Sequence, residues 1–263
     1  MNNPIDIALP AGPVWIAADL HLGPDTPATI EAFLAFLEAA PEDAASLLLP
    51  GDIFDAWIGD DVIHIAPEWL AGVLSGLQHA AARLPIWIGR GNRDFLISEK
   101  LAAATGTHLL PDSARLQTQA GPVLLSHGDE YCLDDIAYQQ FRTMVRNPQW
   151  QAQFLSKSIP ERLAMAQEAR AGSIQANSQK SMEIMDVNQD AIEAAFRSTG
   201  LSIMVHGHTH RPARHAIEVD GRHCERWVLP DWDCDHADPI RGGWLAIEED
   251  GLVFYDLEQP EKP

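Results

Sequence analysis

Five short apolar runs in this chain each stop on residues that bind divalent cations, and that repetition limits the fold more than any other feature. "AADLHLG" delivers Asp19 and His21, "LLLPGDIFD" Asp52 and Asp55, "WIGRGNRD" Asn92 and Asp94, "VLLSHGD" His127 and Asp129, and "IMVHGHTH" His206, His208 and His210. Ligands of open α/β sheets collect at the carboxyl ends of strands, so the runs read as strands that bring their ends to one site. Residues two apart in an extended segment face the same side. Asp19 and His21 can therefore reach one cation, as can His208 and His210. Glycines 51, 91, 128 and 207 stand beside these residues, where the backbone must pass close to an ion or a phosphate. Asp19, Asp52, Asp55, Asp60 and Asp61 would repel one another at buried strand ends unless something positive held them. Mixed His, Asp and Asn donors suit Mn, Fe or Zn better than Ca.

Singly, each fragment has a bland reading. D-x-H is common on surfaces, "GNRD" can be a turn, a lone buried histidine is usually a hydrogen-bonded core residue, and "GHTH" would serve other zinc sites. The ordered set D-x-H, G-D-x-x-D, G-N-x-D, H-G-D and G-H-x-H does not reduce to these.

Between the runs lie helical patterns. Strands are expected at 14–19, 46–52 and 85–92, and helices at 26–40, 67–83 and near 97–104, which implies repeated βαβ units and a parallel sheet. A hairpin at 114–129 turns at Ala120 and Gly121. Residues 134–198 are helical in pattern, 201–210 return to a strand, and 213–257 are β-like with turns at Asp220-Gly221 and Asp250-Gly251. The expected organisation is an α/β body, 1–133 and 199–263, interrupted by a helical insertion cap at 134–198.

The 263 residues, 46% of them hydrophobic, suffice for a full core. A net charge of -20 argues against general nucleic-acid binding, which needs clustered Lys and Arg. Residues 141–182 run against that trend with six Lys/Arg to two Glu, the pattern of an anion-facing surface or of an ordinary solvated helix face. Cys132, Cys224 and Cys234 make no C-x-x-C pair or disulfide framework, which fits a reducing cytosol. No secretory signal or membrane-spanning run is apparent.

The ordered blocks resemble the calcineurin-like metallophosphoesterase superfamily over about residues 14–235. The resemblance implies two facing mixed sheets flanked by helices, and two divalent ions at the strand ends. Asp19, His21 and His210 would hold the first ion, Asn92, His127 and His208 the second, with Asp52 between them. It implies attack by a bridging hydroxide in line on phosphorus. At the third block most of the superfamily has a histidine that assists a poor leaving group, and here Arg93 stands. Arginine cannot give up its proton near neutral pH, so the scissile bond should need no acid, as a pyrophosphate does not, and Arg93 would clamp phosphate oxygens.

"GDIFDAWIGDD", "GNRDFLI", "HGDEYCLDDIAYQQFR", "ANSQKSMEIMDVN" and "HGHTHRP" are similar to the UDP-2,3-diacylglucosamine hydrolase family of lipid A biosynthesis. The similarity implies hydrolysis to UMP and 2,3-diacylglucosamine 1-phosphate by attack on the nucleotide-side phosphorus, with Mn as the usual metal. Substrate contacts would fall on Asn92, Arg93, Asp135, Ser173, Asn177, Lys180 and His208, with Tyr138 also in the pocket. "EY" at 130–131 and "LPDWDCD" at 229–235 differ from the commoner wording and bear on substrate fit. Phe141, Val145, Trp150, Phe154, Leu155, Ile159, Leu163 and Met165 are expected either to line a channel for two acyl chains or to pack the cap onto the body. Arg142, Arg146, Lys157 and Lys180 would meet phosphate or anionic lipid. The expected location is the cytoplasmic face of the inner membrane, peripherally held, with the UDP-linked diacylated sugar lipid as partner and no protein partner indicated. Competing readings are a general phosphodiesterase or nucleotide pyrophosphatase on the same site, a non-catalytic scaffold, and a metallo-β-lactamase-like zinc hydrolase. The last would need Asp where Thr209 stands.

Overall fold

The computed structural model describes residues 3–177, 184 and 186–257. In chain order its elements are β1 (Ile5–Ala8), β2 (Val14–Ile16), α1 (Pro27–Asp43), β3 (Ser46–Leu49), α2 (Glu68–Ala81), β4 (Ile86–Ile88), α3 (Glu99–Thr105), β5 (His108–Leu109), β6 (Ser113–Thr118), β7 (Gly121–Ser126), α4 (Ile136–Val145), α5 (Pro148–Leu155), α6 (Ile159–Asn177), α7 (Gln189–Thr199), β8 (Ile203–His206), β9 (Ala213–Val219), β10 (Arg222–Val228), β11 (Gly243–Glu248) and β12 (Gly251–Asp256). Two six-stranded mixed sheets result. One runs β12-β11-β2-β3-β4-β5 and the other β1-β6-β7-β8-β10-β9.

The two-residue period of a strand explains the layers. Trp15 and Ala17, Leu47 and Leu49, and Ile86 and Ile88 join a core with Phe33, Leu37, Val73 and Leu77 of α1 and α2. Their alternates, Val14, Ile16 and Leu48, join Val123, Leu125, Val205 and Trp227 of the other sheet. Leu124 and Met204 turn outward onto Ile192 and Phe196 of α7. The order is helices, sheet, sheet, helix, with nearly every central strand buried on both faces.

The three strands expected at 14–19, 46–52 and 85–92 are parallel neighbours, and β7 is parallel to β8. Each is shorter than the sequence suggests, because the ladder gives way to irregular backbone before the candidate ligands. Cross-chain bonds persist there: Asp19 N donates to Gly51 O (3.2 Å) and His21 N to Asp52 O (3.0 Å). In the tail β9 pairs with β10 across the expected Asp220-Gly221 turn, whereas β11 pairs with β12 across Glu249-Asp250, one residue earlier than expected, with Gly251 opening β12. Edge strands β1 and β5 were not anticipated. They are short, and their partners are non-local or minimal, β1 pairing with residues 114–117.

Among the expected cap residues, α4 and α5 begin with side-chain caps. Asp135 accepts from Tyr138 N (3.1 Å), and Asn147 accepts from Gln149 N (2.8 Å) with Pro148 in the first turn. Among the described residues no helix is long and apolar enough to cross a membrane.

Candidate metal centre

All seven expected ligands come together at the strand ends. Asp19, His21 and His210 offer ligand atoms within 4.8 Å of one another, and so do Asp19, Asp52 and His127. His21 Nε2 lies 3.2 Å from His210 Nε2, and Asn92 Oδ1 lies 2.8 Å from His208 Nδ1 and 3.2 Å from His127 Nε2. His127 Nε2 and His21 Nδ1 each stand 3.8 Å from an Asp52 carboxylate oxygen.

Backbone conformation marks the same residues. Among the described residues six non-glycine positions have positive φ, and five of them are Asp19, His21, Asp52, His208 and His210. Such conformations persist only where surroundings over-determine them, and they cluster at functional sites. Asp94 supplies much of that constraint. Fully buried, it accepts from four backbone N–H groups, those of Gly91 (2.6 Å), Ile53 (2.8 Å), Asp52 (3.2 Å) and Phe54 (3.4 Å), tying the loop after β3 to the loop after β4. The missing side chains of two glycines do the rest. A Cβ at Gly91 would stand 2.0 Å from Asp52 Oδ1, and one at Gly207 2.2 Å from Asp19 Oδ2.

Charge and proton placement suit divalent ions. Burial raises Asp52 to about 7, with Asp94 and Asp19 adding to it against the pull of His127. Burial works the same way on Asp19, but His210, 3.6 Å away, and then His127 and His21 outweigh it and hold Asp19 low. Burial and then Arg93 press His21 well down, and burial and then His127 press His208 to about 4, leaving both rings neutral. In His127 burial is outweighed by Asp52 and Asp19, and in His210 by Asp19, so both are raised. Asp19 Oδ1, His21 Nδ1 and His127 Nδ1 are buried without hydrogen-bond partners. Two opposed imidazole nitrogens, paired buried carboxylates and orphaned donor atoms together fit cations.

Around this cluster, Arg93 N donates to Asp52 Oδ1 (2.9 Å), and its guanidinium donates to Asp55 Oδ1 (2.5 Å). Asp55 is shared by Arg170 of α6 (2.7 Å), which the sequence reading did not single out. Asp60 accepts from Trp57 Nε1 (2.8 Å), Ser98 Oγ (2.5 Å) and Leu101 N (2.8 Å), while Asp61 pairs with Arg162. These two carboxylates anchor structure away from the ligand cluster. Asp231 Oδ2, held by Arg241 (2.9 Å), lies 3.5 Å from His210 Nδ1 and can orient that ring. The "LPDW" wording was its signal.

Of the expected substrate contacts, Asn92, Arg93 and His208 lie in the cluster. The Tyr138 ring sits 5.7 Å from that of His208, with its hydroxyl donating to Asp129 Oδ2 (2.5 Å). Asp135 caps α4, and Ser173 is exposed on α6. The Asn177 side chain and Lys180 lie outside the described residues. His206 is fully buried and bonded to Gly207 O and Arg226, and burial followed by Arg226 lowers it to about 3.

The expectation that Arg142 and Arg146 offer open charge is corrected. Arg142 Nε donates to buried Asp129 (2.8 Å), and Arg146 donates to Gly91 O (3.2 Å) and Asp112 (3.3 Å). The apolar set divides. Val145 and Phe154 are buried, and Trp150 and Ile159 pack on the core, whereas Leu155, Leu163 and Met165 remain 40–45% exposed.

Residues 12–212 match the calcineurin-like phosphoesterases. The chain belongs to that family. Relatives of this calcineurin-like phosphoesterase include the UDP-2,3-diacylglucosamine hydrolase of Bordetella pertussis (strain Tohama I), 68% identical over 250 residues that cover 95% of this chain and 97% of that one. The UDP-2,3-diacylglucosamine hydrolase of Chromobacterium violaceum is 42% identical, covering 91% and 96%, and that of Stenotrophomonas maltophilia (strain K279a) is 41% identical, covering 86% and 94%. This phosphoesterase therefore shares nearly its whole length, helical stretch included, with each of them.

Proposed function

We propose that this protein hydrolyses the pyrophosphate of UDP-2,3-diacylglucosamine to UMP and 2,3-diacylglucosamine 1-phosphate. The observation that carries the reading is the convergence of seven metal-competent side chains, five of them on left-handed backbone, in a chain 68% identical to a hydrolase of that name. Asp19, His21 and His210 would hold one ion, Asn92, His127 and His208 another, with Asp52 shared. Mn2+ is the metal proposed, consistent with the mixed donors. When bound, two such ions supply a water of lowered pKa and neutralise phosphoryl oxygens.

The chain's own residues do the rest. Arg93 and Arg170, neighbours across Asp55, are placed to receive the oxygens of a pyrophosphate by exchanging that carboxylate for phosphate. Neither guanidinium can act as a general acid, so the leaving group must depart as a stable phosphate. Attack at the nucleotide-side phosphorus satisfies this, because the sugar phosphate leaves without a proton. Asp135, Tyr138, Ser173, Asn177 and Lys180 are proposed to complete the contacts to the UDP-sugar.

Residues 134–198 are proposed as the inserted cap, with α4 to α6 as the part that faces substrate. The last helix of that stretch, α7, packs its Ile192 and Phe196 into the core beside β8 and so belongs with the body, which leaves α4 to α6 for that role. Leu155, Leu163 and Met165 are the apolar residues left for acyl chains, and a peripheral position on the inner membrane would follow from the lipid substrate.

The test is turnover of the lipid by Mn2+-loaded protein in oxygen-18 water. Label in UMP is expected. Label in the sugar phosphate would overturn the regiochemistry, and no turnover by metal-replete protein would overturn the substrate.

A further inference from the structure

His206, the first histidine of "HGHTH", stands outside the ligand set and is fully buried. Its Nδ1 lies 2.8 Å from Gly207 O and its Nε2 lies 3.1 Å from Arg226 Nη1. A carbonyl only accepts and a guanidinium only donates. The two contacts therefore fix the ring: Nδ1 carries the proton and donates to Gly207, while bare Nε2 accepts from Arg226. A Cβ at position 128 would stand 2.6 Å from Nδ1, so the ring packs against the Gly128 backbone in space that only glycine leaves open.

Gly207 O also accepts from Thr209 N (2.8 Å), which closes a γ-turn centred on His208 with φ 68°. The positive-φ γ-turn is rare and strained. Around it, Gly207 N donates to His127 O (2.9 Å) and His208 N donates to Asp19 Oδ2 (2.8 Å). A shift of the turn would thus disturb residues of both proposed ion sites.

We propose that Arg226 and His206 form a positioning pair for the metal centre. Arg226 holds His206 in the tautomer whose Nδ1–H grips the Gly207 carbonyl, and that grip maintains the strained turn that aims His208 and His210. Neither residue of the pair touches ion or substrate. The inference rests on His208 and His210 being ligands.

The experiment compares full-length His206→Phe, which keeps a ring without a donor, His206→Asn, which keeps an amide donor near the Nδ1 position, and Arg226→Met. Mn2+ is titrated into metal-stripped protein and free Mn2+ is read by electron paramagnetic resonance. Circular dichroism reports folding, and nitrogen-15 NMR of metal-free protein reports the His206 tautomer. His206→Phe should weaken Mn2+ binding about 10–100-fold, the scale typical of residues that orient ligands. His206→Asn should restore most of the affinity, and Arg226→Met should lose part of it while admitting the other tautomer. Native Mn2+ affinity in folded His206→Phe, equal losses in both His206 variants, or a wild-type ring protonated on Nε2 would each overturn the pair. If His206→Phe does not fold, Arg226→Met and the tautomer decide. His208→Ala separates the two readings: unchanged Mn2+ binding there overturns the ligand assignment, while the tautomer still judges the pair.

Discussion

The strand-end centre and the helices above it are held by different means. At the centre, bonds from main-chain N–H groups to buried carboxylates, four of them to Asp94 and one from His208 N to Asp19, tie the strand-end loops together. Helices α4 and α6 are tethered chiefly by long side chains. Arg142 and Tyr138 tie α4 to Asp129, Arg162 ties α6 to Asp61 and Ile58 O, and Arg170 reaches Asp55. A main-chain clamp has few rotatable bonds and keeps a geometry, whereas an arginine tether can keep its contact while its helix shifts. Under the proposed function, the first property suits chemistry at phosphorus and the second suits the binding of two flexible acyl chains.

The sharpest break of this contrast would come from the ligands. His21→Ala or Asn92→Ala should lower kcat by at least about 10²–10³-fold, the scale of losing one electrostatic stabiliser, while the melting temperature moves little. A folded variant with near-normal turnover removes that residue from the centre. Arg93→Lys keeps the charge and loses the fork, and should cost about 1.5–3 kcal/mol of transition-state binding, visible as a ten- to hundredfold drop in kcat/KM. An unchanged value would mean that Arg93 serves only Asp55.

Protons sharpen it further. Asp52 has a folded pKa near 7 against 3.8 as its ordinary value. Its contribution to metal-free stability is therefore present at low pH and lost as pH rises toward 7, just where an ion no longer has to displace the proton. The stabilisation by added Mn2+, followed by the gain in melting temperature, should widen from pH 5.5 to 8, with a free energy that grows by up to about 1.4 kcal/mol per pH unit for each proton displaced. A gain that is flat in pH would contradict the placement of Asp52 between the ions.

Where α6 meets the body, Asp61→Ala leaves the buried Arg162 guanidinium without its carboxylate. It should loosen α6 by about 1.5–3 kcal/mol, read as faster proteolysis or hydrogen exchange there, with the ligand loops unaffected. The smallest effect is expected from Leu163→Glu, within about 0.5 kcal/mol in stability and without effect on hydrolysis of an unacylated UDP-sugar. A selective loss on the diacylated substrate would support an acyl contact, and equal turnover on both would remove Leu163 from the lipid path.

What the sequence made legible follows the same division. The seven metal-competent residues could be picked out because strand ends, glycines and two-residue spacing are local patterns, and they meet in space. The inward face of α6 could not. Its less exposed positions, Ile159, Arg162, Ala166 and Arg170, follow helical spacing, but two of the four are arginines. A search for apolar periodicity passes over such a face. Asp94 sits in a block that was noticed, yet its role depends on backbone from 42 residues away and has no local signature. Arg142 and Arg146 look like open charge in sequence because their partners, Asp129 and Asp112, belong to other elements.

The two glycines pressed against Asp52 and Asp19 carry a consequence for how this centre can change by descent. Even a methyl group at position 91 or 207 would collide with a carboxylate oxygen of a residue on another strand end. A library randomised at either position alone should return glycine among active clones. At 207 another residue would require Asp19 to change in the same step, so that glycine and its aspartate are inherited as one unit, whereas at 91 a Cβ would also stand 2.5 Å from the backbone N of Asp52 whatever side chain that residue carried.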